Sequence, residues 1–386
     1  MRLAAWTYPW DVLDLGAEIV AAELSGRAGL NAISLATSYH AGHFLQARSP
    51  RRKSYFPEDG VVYFRPDPAR WEGRRIQPKI ADLLGEGDVL RDLIKRRDAG
   101  GLKVHCWTVG LHNTRLGMLH PDACTRNAFD DPNYFSLCPN NADARAYLIT
   151  MVADITHSYR PDVIELESPG FMSFVHGFHH EKDGVGLTAA DQLLMGLCFC
   201  PACIDCVRSA GIDGDAVREL VRRLLIEATS RPAPLGGEAV IDGDIQAYAA
   251  LRAATVTSLL AEAKQAAHGA SRVDVIDEPL MPTGQDLSAT ARVCDGALVC
   301  AYDMKPTAVT SMIVAARKSI GKDRHLSVGF RVFFPEIGGA ADLVARVEAA
   351  VGAGAQGINF YNYGLIPVAR LDWIGEASRA AQRLSP

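Results

Sequence analysis

The sequence predicts a single (β/α)8 barrel, with residues 1–386 in one domain. The main observation is a short apolar run that recurs eight times, separated by amphipathic stretches of helical periodicity. Strands that alternate with helices form parallel β–α–β units, and eight units favour closure into a barrel over an open sheet. No GxGxxG motif follows the first run, which argues against a dinucleotide-binding sheet. The predicted strands, numbered 1 to 8, cover residues 2–8, 30–38, 102–109, 162–167, 272–277, 296–302, 326–333 and 356–361.

The segments between the predicted strands differ in length. Residues 86–99, 142–158 and 341–352 are amphipathic and predict helices that surround the barrel. The gap between strands 4 and 5 is the longest, and we expect residues 169–268 to form an insertion over the barrel mouth. Within it we predict helices at 216–228 and 245–267, joined by a linker rich in proline and glycine at 229–239.

The composition is that of an ordinary soluble globular protein, with 48% hydrophobic residues, 22% charged residues and a formal net charge of −5. Charges of both signs are mixed along the chain, which argues against nucleic acid or an anionic membrane as a partner. No apolar stretch predicts a membrane span, and the N-terminus lacks the pattern of a signal peptide. The nine cysteines are an odd number, so we expect a reducing, cytoplasmic location. A homo-oligomer is left open.

Alternation along the strands predicts which side chains point into the barrel. In strand 4, Ile164 and Leu166 share the apolar face, so Glu165 and Glu167 should point inward, with Glu167 nearer the carboxyl end. Active sites of such barrels lie at this end of the strands. The same rule gives a set of inward or rim residues from four other strands, namely His40, Trp107, Arg331, Asn359, Tyr361 and Tyr363.

Two inward carboxylates on one strand are expensive to bury without a function or a partner. Cleavage of a glycosidic bond requires two carboxyl groups, one of which protonates the leaving oxygen. We therefore predict Glu167 as the acid/base of a glycoside hydrolase. Glu336, after strand 7, is the first candidate for the second carboxylate and Asp303, after strand 6, is the second. Asp277 and Glu278, after strand 5, are further candidates.

Aromatic and polar residues near the strand ends suit a small carbohydrate, because aromatic faces stack on sugar rings while polar groups hold the hydroxyls. Trp6, Tyr8 and Tyr302 lie in or beside predicted strands and add aromatic faces. The residues predicted to contact the sugar are His40, Trp107, Glu165, His176, His180, Arg331, Asn359, Tyr361 and Tyr363.

Histidines after strands 2 and 4 support a different chemistry. His176 and His180 have the i, i+4 spacing of two metal ligands on one helical turn, and His40, His43 and His179 lie in the same pair of loops. If these side chains converge, the chain would be a metal-dependent lyase or isomerase. A third possibility is a barrel that binds sugar without catalysis.

The run CFCPACIDC places Cys198, Cys200, Cys203 and Cys206 within nine residues. Four thiolates at this spacing can close around one tetrahedral Zn2+, which would be structural because no ligand position remains open. If Cys206 falls one turn along the helix, the fourth ligand would be Cys138 or Cys124. No organic cofactor is expected.

Several motifs resemble known glycoside hydrolases. CFCPACIDCVRSAG is similar to the zinc-binding stretch of family 42 β-galactosidases, in which three cysteines at C-x-C-x2-C are joined by one from elsewhere. LKVHCWTVGLHN, SLCPNNADARAYL, VIELESPGF and GINFYNYGLIPVARLDWI resemble bacterial family-10-like glycosyl hydrolases. The resemblance implies a barrel with the acid/base at the end of strand 4 and the nucleophile at the end of strand 7. Glu167 matches the first position, although Leu166 stands where the family has Asn, and Glu336 lies several residues past strand 7.

Overall fold

The computed structural model describes residues 1–176, 182–233, 241, 243–277 and 283–385. All eight predicted strands are present, and each begins and ends within two residues of its predicted position. The strands are β1 (Arg2–Thr7), β2 (Ala32–Tyr39), β3 (Lys103–Val109), β4 (Val163–Glu167), β5 (Arg272–Asp277), β6 (Gly296–Cys300), β7 (His325–Arg331) and β8 (Gly357–Tyr361).

The eight strands form a closed parallel barrel. Each pairs in parallel with the next along the chain, and β8 pairs with β1 through Arg2 opposite Gly357. The (β/α)8 fold is therefore confirmed. Two short strands, Val61–Val62 and Lys79–Ile80, extend the sheet beyond the end of β2. Two hairpins stand apart from it, Phe44–Leu45 with Ser54–Tyr55 and Cys124–Arg126 with Pro132–Leu137.

Helices surround the barrel as predicted. The stretches expected at 86–99, 142–158 and 341–352 are the fourth, sixth and thirteenth helices of the described chain. The helices are α1 (Pro9–Leu15), α2 (Ala17–Ala22), α3 (Pro68–Trp71), α4 (Val89–Asp98), α5 (Thr114–Leu119), α6 (Ala142–Tyr159), α7 (Ala189–Met195), α8 (Pro201–Ser209), α9 (Gly214–Ser230), α10 (Gly243–Ala266), α11 (Leu287–Val293), α12 (Pro306–Ile320), α13 (Ala340–Gly352) and α14 (Arg370–Leu384). None of them is both long and apolar enough to cross a bilayer.

The segment between β4 and β5 contains α7 to α10. The helices predicted at 216–228 and 245–267 are confirmed as α9 and α10, whereas residues 234–239 of the predicted linker lie outside the described residues. Apolar side chains of α7, α8, α9 and the first turns of α10 form a core separate from that of the barrel, in which Val221 and Leu225 are fully buried. α10 contacts α6 and α11, so it belongs to the layer of helices around the barrel.

One glycine makes room for a large side chain inside the barrel. Trp6 of β1 is 1% exposed, and its indole crosses toward β7. A Cβ at Gly329 would lie 2.6 Å from the Cη2 atom of Trp6, closer than two carbon atoms can approach. β7 therefore carries glycine at the inward position between Ser327 and Arg331, and the indole fills the space below the barrel mouth.

Candidate active site

A cavity of about 270 Å³ opens at the carboxyl ends of the barrel strands. Each of the eight strands contributes one lining residue, and two aromatic residues beyond β6 and β7 complete the wall. Active sites of (β/α)8 enzymes lie at this end because the loops there differ freely without disturbing the barrel. The lining residues are Trp6, Tyr39, Trp107, Glu167, Ile276, Cys300, Tyr302, Arg331, Phe333 and Tyr361.

Glu167 is the carboxylate that lines the cavity. It is the last residue of β4, and its side chain points inward, as the alternation of Ile164 and Leu166 predicts. The indole N–H of Trp107, on the neighbouring strand β3, donates a hydrogen bond to Oε2 of Glu167. The sequence predicted both residues at the site, and the structure brings them into direct contact.

Glu165 lies one layer deeper and is 1% exposed. Its oxygens accept hydrogen bonds from Ser34 Oγ at 2.6 Å, His105 Nδ1 at 2.9 Å and Asn359 Nδ2 at 3.1 and 3.2 Å. Burial disfavours the carboxylate, but the hydrogen bonds from His105 and Ser34 outweigh it and lower the pKa of Glu165 below its ordinary value. Both Glu165 and Asn359, predicted to contact the sugar, are thus occupied in a buried network below the cavity.

Arg331 connects the two candidates for the second carboxylate. Its Nη2 atom lies 2.7 Å from Oδ2 of Asp303 and 2.8 Å from Oε1 of Glu336. Its guanidinium also lies over the rings of Tyr302 and Phe333, with 5.3 and 5.7 Å to their centroids. Arg331 lines the cavity, whereas Asp303 and Glu336 are not among its lining residues, so one cation holds both carboxylates next to the β7 side of the cavity.

The hydroxyl groups of three tyrosines lie together at the cavity wall, two of them within hydrogen-bonding distance of the third. The hydroxyl of Tyr8 lies 3.0 Å from that of Tyr39 and 2.7 Å from that of Tyr361. Burial raises the pKa of all three phenols, so they act as neutral hydrogen-bonding groups. Tyr39 and Tyr361 line the cavity, whereas Tyr8 supports them from behind, stacked on Trp10 at 4.3 Å.

His40 and Tyr363 were predicted at the rim of the site, but neither lines the cavity. Regular alternation from Ser34 predicts His40 inward, but the pairing of β2 with β3 shifts by one residue between Ala36 and Ser38. This bulge turns Tyr39 into the cavity, and His40 stacks on the Tyr39 ring outside it at 4.3 Å. Tyr363 lies beyond the end of β8, where alternation no longer applies, and its hydroxyl donates to Glu23 away from the cavity.

The loop histidines form a row of rings. His40 stacks on His112 with centroids 4.4 Å apart, and His112 meets His176 edge to face at 4.6 Å. Burial lowers the pKa of His112 well below its ordinary value and that of His176 to about 4. His112 is not among the predicted site residues, because it lies in a loop with no metal-like spacing. His179, His180 and Glu278 lie outside the described residues.

Among the described residues, one group of side chains could hold a metal ion, and it consists of Cys138, Cys198, Cys200 and Cys203. Cys206, predicted as a ligand, lies further along α8 and does not join them, whereas Cys138, the alternative, does. From the sulfur of Cys138 to those of Cys198, Cys200 and Cys203 the distances are 3.9, 3.5 and 3.5 Å.

These distances exceed a disulfide bond of about 2.05 Å. They match the separation of about 3.8 Å between sulfurs that each lie about 2.3 Å from a tetrahedral Zn2+. All four thiols are buried, and the fit favours a closed tetrathiolate site.

Comparison with solved structures supports the fold. The glycoside hydrolase domain of PgaB (BpsB) from Bordetella bronchiseptica aligns with a TM-score of 0.60 and 14% identity over 100% of this chain and 98% of that one. The catalytic domain of a β-amylase from Paenibacillus polymyxa aligns with a TM-score of 0.56 and 11% identity, over 100% and 99% of the two chains. α-L-Fucosidase isoenzyme 2 from Paenibacillus thiaminolyticus gives 0.55 and 15%, over 99% of this chain and 49% of that one.

No protein-family model matches the chain, and no curated protein matches it in sequence. These three structures are similar to this chain in fold, and all three are glycoside hydrolases.

Proposed function

We propose that this protein is a glycoside hydrolase with Glu167 as its general acid and base. The observation that carries the proposal is the position of Glu167 in an aromatic-lined cavity at the carboxyl ends of the strands, with Trp107 bound to one carboxyl oxygen. The hydrogen bond from Trp107 to Oε2 fixes the orientation of the carboxyl group that would carry the proton for the leaving oxygen. The similar fold of three glycoside hydrolases agrees with this assignment by analogy.

The cavity wall suits a sugar ring. Trp6, Trp107, Tyr302, Phe333 and Tyr361 offer faces and edges for the apolar side of a pyranose. The hydroxyls of Tyr39 and Tyr361 and the guanidinium of Arg331 can hydrogen-bond to sugar hydroxyls. We propose a carbohydrate as the substrate on this basis.

The reaction uses two carboxyl groups. Glu167 donates a proton to the glycosidic oxygen as the bond to the anomeric carbon breaks. Glu336 or Asp303 then either attacks that carbon or removes a proton from the water that does. Where the carboxylate attacks, water then displaces it from the anomeric carbon, supplies the hydroxyl group of the released sugar and returns its other proton to Glu167. Where the carboxylate acts as a base, it takes that other proton from the attacking water, and exchange with solvent returns both carboxyl groups to their starting states. Arg331 holds Glu336 and Asp303 as ion pairs, so both are candidates, and Glu336 is the less exposed.

The test is hydrolysis of a panel of aryl glycosides by wild type, Glu167→Gln, Glu336→Gln and Asp303→Asn. The last two substitutions each remove one carboxylate from the same guanidinium and serve as controls for each other. We expect Glu167→Gln to lower kcat by roughly 10²- to 10⁴-fold, the usual contribution of a general acid. One of the other two should lose a similar factor, with activity restored by azide if that residue is the nucleophile. Unchanged turnover in Glu167→Gln would refute the proposal.

We also propose a structural Zn2+ at Cys138, Cys198, Cys200 and Cys203. The four buried sulfurs support it, because all four lie within 4.8 Å of one another, as ligands of one metal ion do. Cys138 precedes α6 and the other three lie at the start of α8, so the ion would join the segment after β4 to the barrel wall. Such a tetrathiolate arrangement matches the resemblance to family 42, and we propose a distant relationship to that family and to the family-10-like proteins.

The absence of disulfide bonds among the described residues supports a proposal about the cellular compartment. None of the nine described cysteines forms a disulfide bond. Cysteines in this number stay reduced in a reducing compartment, which supports a cytoplasmic location as a proposal.

A further inference from the structure

A second pocket lies beside the barrel mouth, next to the hairpin Cys124–Arg126 with Pro132–Leu137. Its volume is about 200 Å³, and its wall includes two aromatic rings, Phe135 and Phe174. Polar side chains of Thr125, Asn127 and Asn133 share the wall. Aromatic faces beside amide and hydroxyl groups are the chemistry that holds a sugar ring.

The hairpin side of the pocket is attached to the barrel by backbone hydrogen bonds. The N–H of Asn113 donates to the carbonyl of Phe135 at 3.2 Å, and the N–H of Leu137 donates to the carbonyl of Leu111 at 2.9 Å. These backbone hydrogen bonds attach the hairpin to the segment that follows β3. Since β3 carries Trp107, the hairpin side of the second pocket is attached close to the catalytic cavity, while Phe174 and residues 195–197 complete the pocket from the segment after β4.

A row of ring contacts connects the two pockets. Tyr39 lines the catalytic cavity and stacks on His40 at 4.3 Å, and His40 stacks on His112 at 4.4 Å. His112 in turn contacts Phe135, with centroids 5.9 Å apart, and Phe135 lines the second pocket. The imidazoles of His112 and His176 are neutral at physiological pH, because burial lowers the pKa of each, so they can both donate and accept hydrogen bonds.

We infer that the second pocket is a distal sugar subsite, and that the substrate is an oligosaccharide long enough to reach from Glu167 past the histidine row to Phe135. This inference rests on the proposed function, since it extends the same site. Three ring-to-ring contacts separate the two pockets, so a monosaccharide in the catalytic cavity does not reach Phe135. The terminal unit stacks on Phe135 and Phe174, and the units between the pockets pass over His40 and His176, which are partly exposed, whereas His112 is buried beneath them.

The test compares substrates of different length in matched variants. Phe135→Ala removes the ring shared by the row and the pocket, and Phe174→Ala removes a ring that is 37% exposed and tolerates truncation. Tyr134→Ala is the control, because Tyr134 is adjacent in the same strand, is 42% exposed and does not line the pocket. Substrates are an aryl monoglycoside and cello-, malto- and chito-oligosaccharides of increasing length. Binding of the same oligosaccharides is measured separately by calorimetry.

We expect Phe135→Ala and Phe174→Ala to lower kcat/KM for the longer oligosaccharides by about tenfold, the effect of exposing a stacked aromatic face. Activity on the aryl monoglycoside should stay within about twofold, because the lost contact is remote from the bond that breaks. Equal kcat/KM for long and short substrates in wild type and both variants would overturn the subsite and leave the hydrolase proposal intact. Oligosaccharide binding that weakens in both variants, without turnover of any glycoside, would support the subsite and overturn the hydrolase. Absence of binding and of any length dependence would overturn the inference.

Discussion

The indole N–H of Trp107 donates a hydrogen bond to the carboxylate of Glu167 across the β3–β4 pair. This contact orients a carboxyl group that lines the cavity. A hydrogen bond to a charged group contributes roughly 1.5 to 3 kcal/mol. The position of the carboxyl group therefore depends on a residue that does not itself take part in proton transfer.

Replacing Trp107 by Phe keeps an aromatic ring in the wall and removes the donor. We expect kcat/KM for aryl glycosides to fall about 10- to 100-fold, the factor that corresponds to loss of such a hydrogen bond. The control is Trp6→Phe, because the Nε1 atom of Trp6 has no hydrogen-bond partner among the described residues. Both variants lose an indole N–H from the same wall, and only one loses a bond to Glu167. Equal losses in the two variants would contradict the positioning role.

The sequence was sufficient to predict the barrel because parallel strands, buried on both faces, leave a strong and regular apolar signal. Ile164 and Leu166 identify the outward face of β4 without any structural information, and Glu167 follows directly. The bulge in β2 left no such signal, since Ala36, Thr37 and Ser38 are all small. The inward position of Tyr39 could therefore be obtained only from the three-dimensional pairing.

Glu165 offers a test of stability. Glutamine at this position replaces one acceptor oxygen with an amide N–H group that faces the donors His105, Ser34 and Asn359. Breaking a buried charge network costs about 3 to 5 kcal/mol, so we expect Glu165→Gln to lower the free energy of unfolding by that amount near neutral pH. Urea denaturation of both proteins measures the difference.

The same pair of proteins should respond differently to acid. The native pKa of Glu165 is lowered, so its contribution is complete above the ordinary glutamate pKa of about 4.3 and is lost as the pH falls toward the native pKa. The stability gap between wild type and Glu165→Gln should therefore narrow below about pH 4.3. A gap that stays constant with acidification would show that the variant acts through packing instead.

The cysteine cluster makes a prediction about individual ligands. Cys138→Ser should lose the metal and lower the Tm, whereas Cys206→Ser should retain one zinc per chain, because Cys206 lies outside the group of four sulfurs. Elemental analysis of the purified proteins measures the zinc, and thermal denaturation measures the consequence. Serine at either position changes a single atom, so the two variants are closely matched. Retention of zinc by Cys138→Ser would contradict the assignment of the fourth ligand.

The identity of that ligand illustrates what spacing alone leaves undecided. Cys198, Cys200 and Cys203 are close in sequence, and their proximity follows from the chain itself. Cys138 comes from the segment before α6, and its place in the cluster depends on how that segment packs against α8. Likewise, Asp303 and Glu336 are separated in sequence, and only the fold brings them to the same nitrogen of Arg331.

Asp11 predicts a pH dependence of stability that is opposite in direction to that of Glu165. Its carboxylate is 3% exposed and accepts the backbone N–H of Tyr8 at 2.9 Å, at the start of α1. Burial raises the pKa of Asp11 to about 7, despite the opposing effect of the Tyr8 hydrogen bond and the charge of Arg48. Between about pH 4 and this value the native state holds a proton that the unfolded state has released, so stability falls as the pH rises, by up to about 1.4 kcal/mol per unit.

Asparagine at position 11 retains the acceptor oxygen and has no proton to lose. We expect Asp11→Asn to match wild type near pH 4 and to become progressively more stable than wild type up to about pH 7, after which the difference stays constant. Urea denaturation of wild type and Asp11→Asn over this range measures the effect. A stability difference that is independent of pH would mean that Asp11 is ionised in the native protein and that Arg48 compensates for its burial.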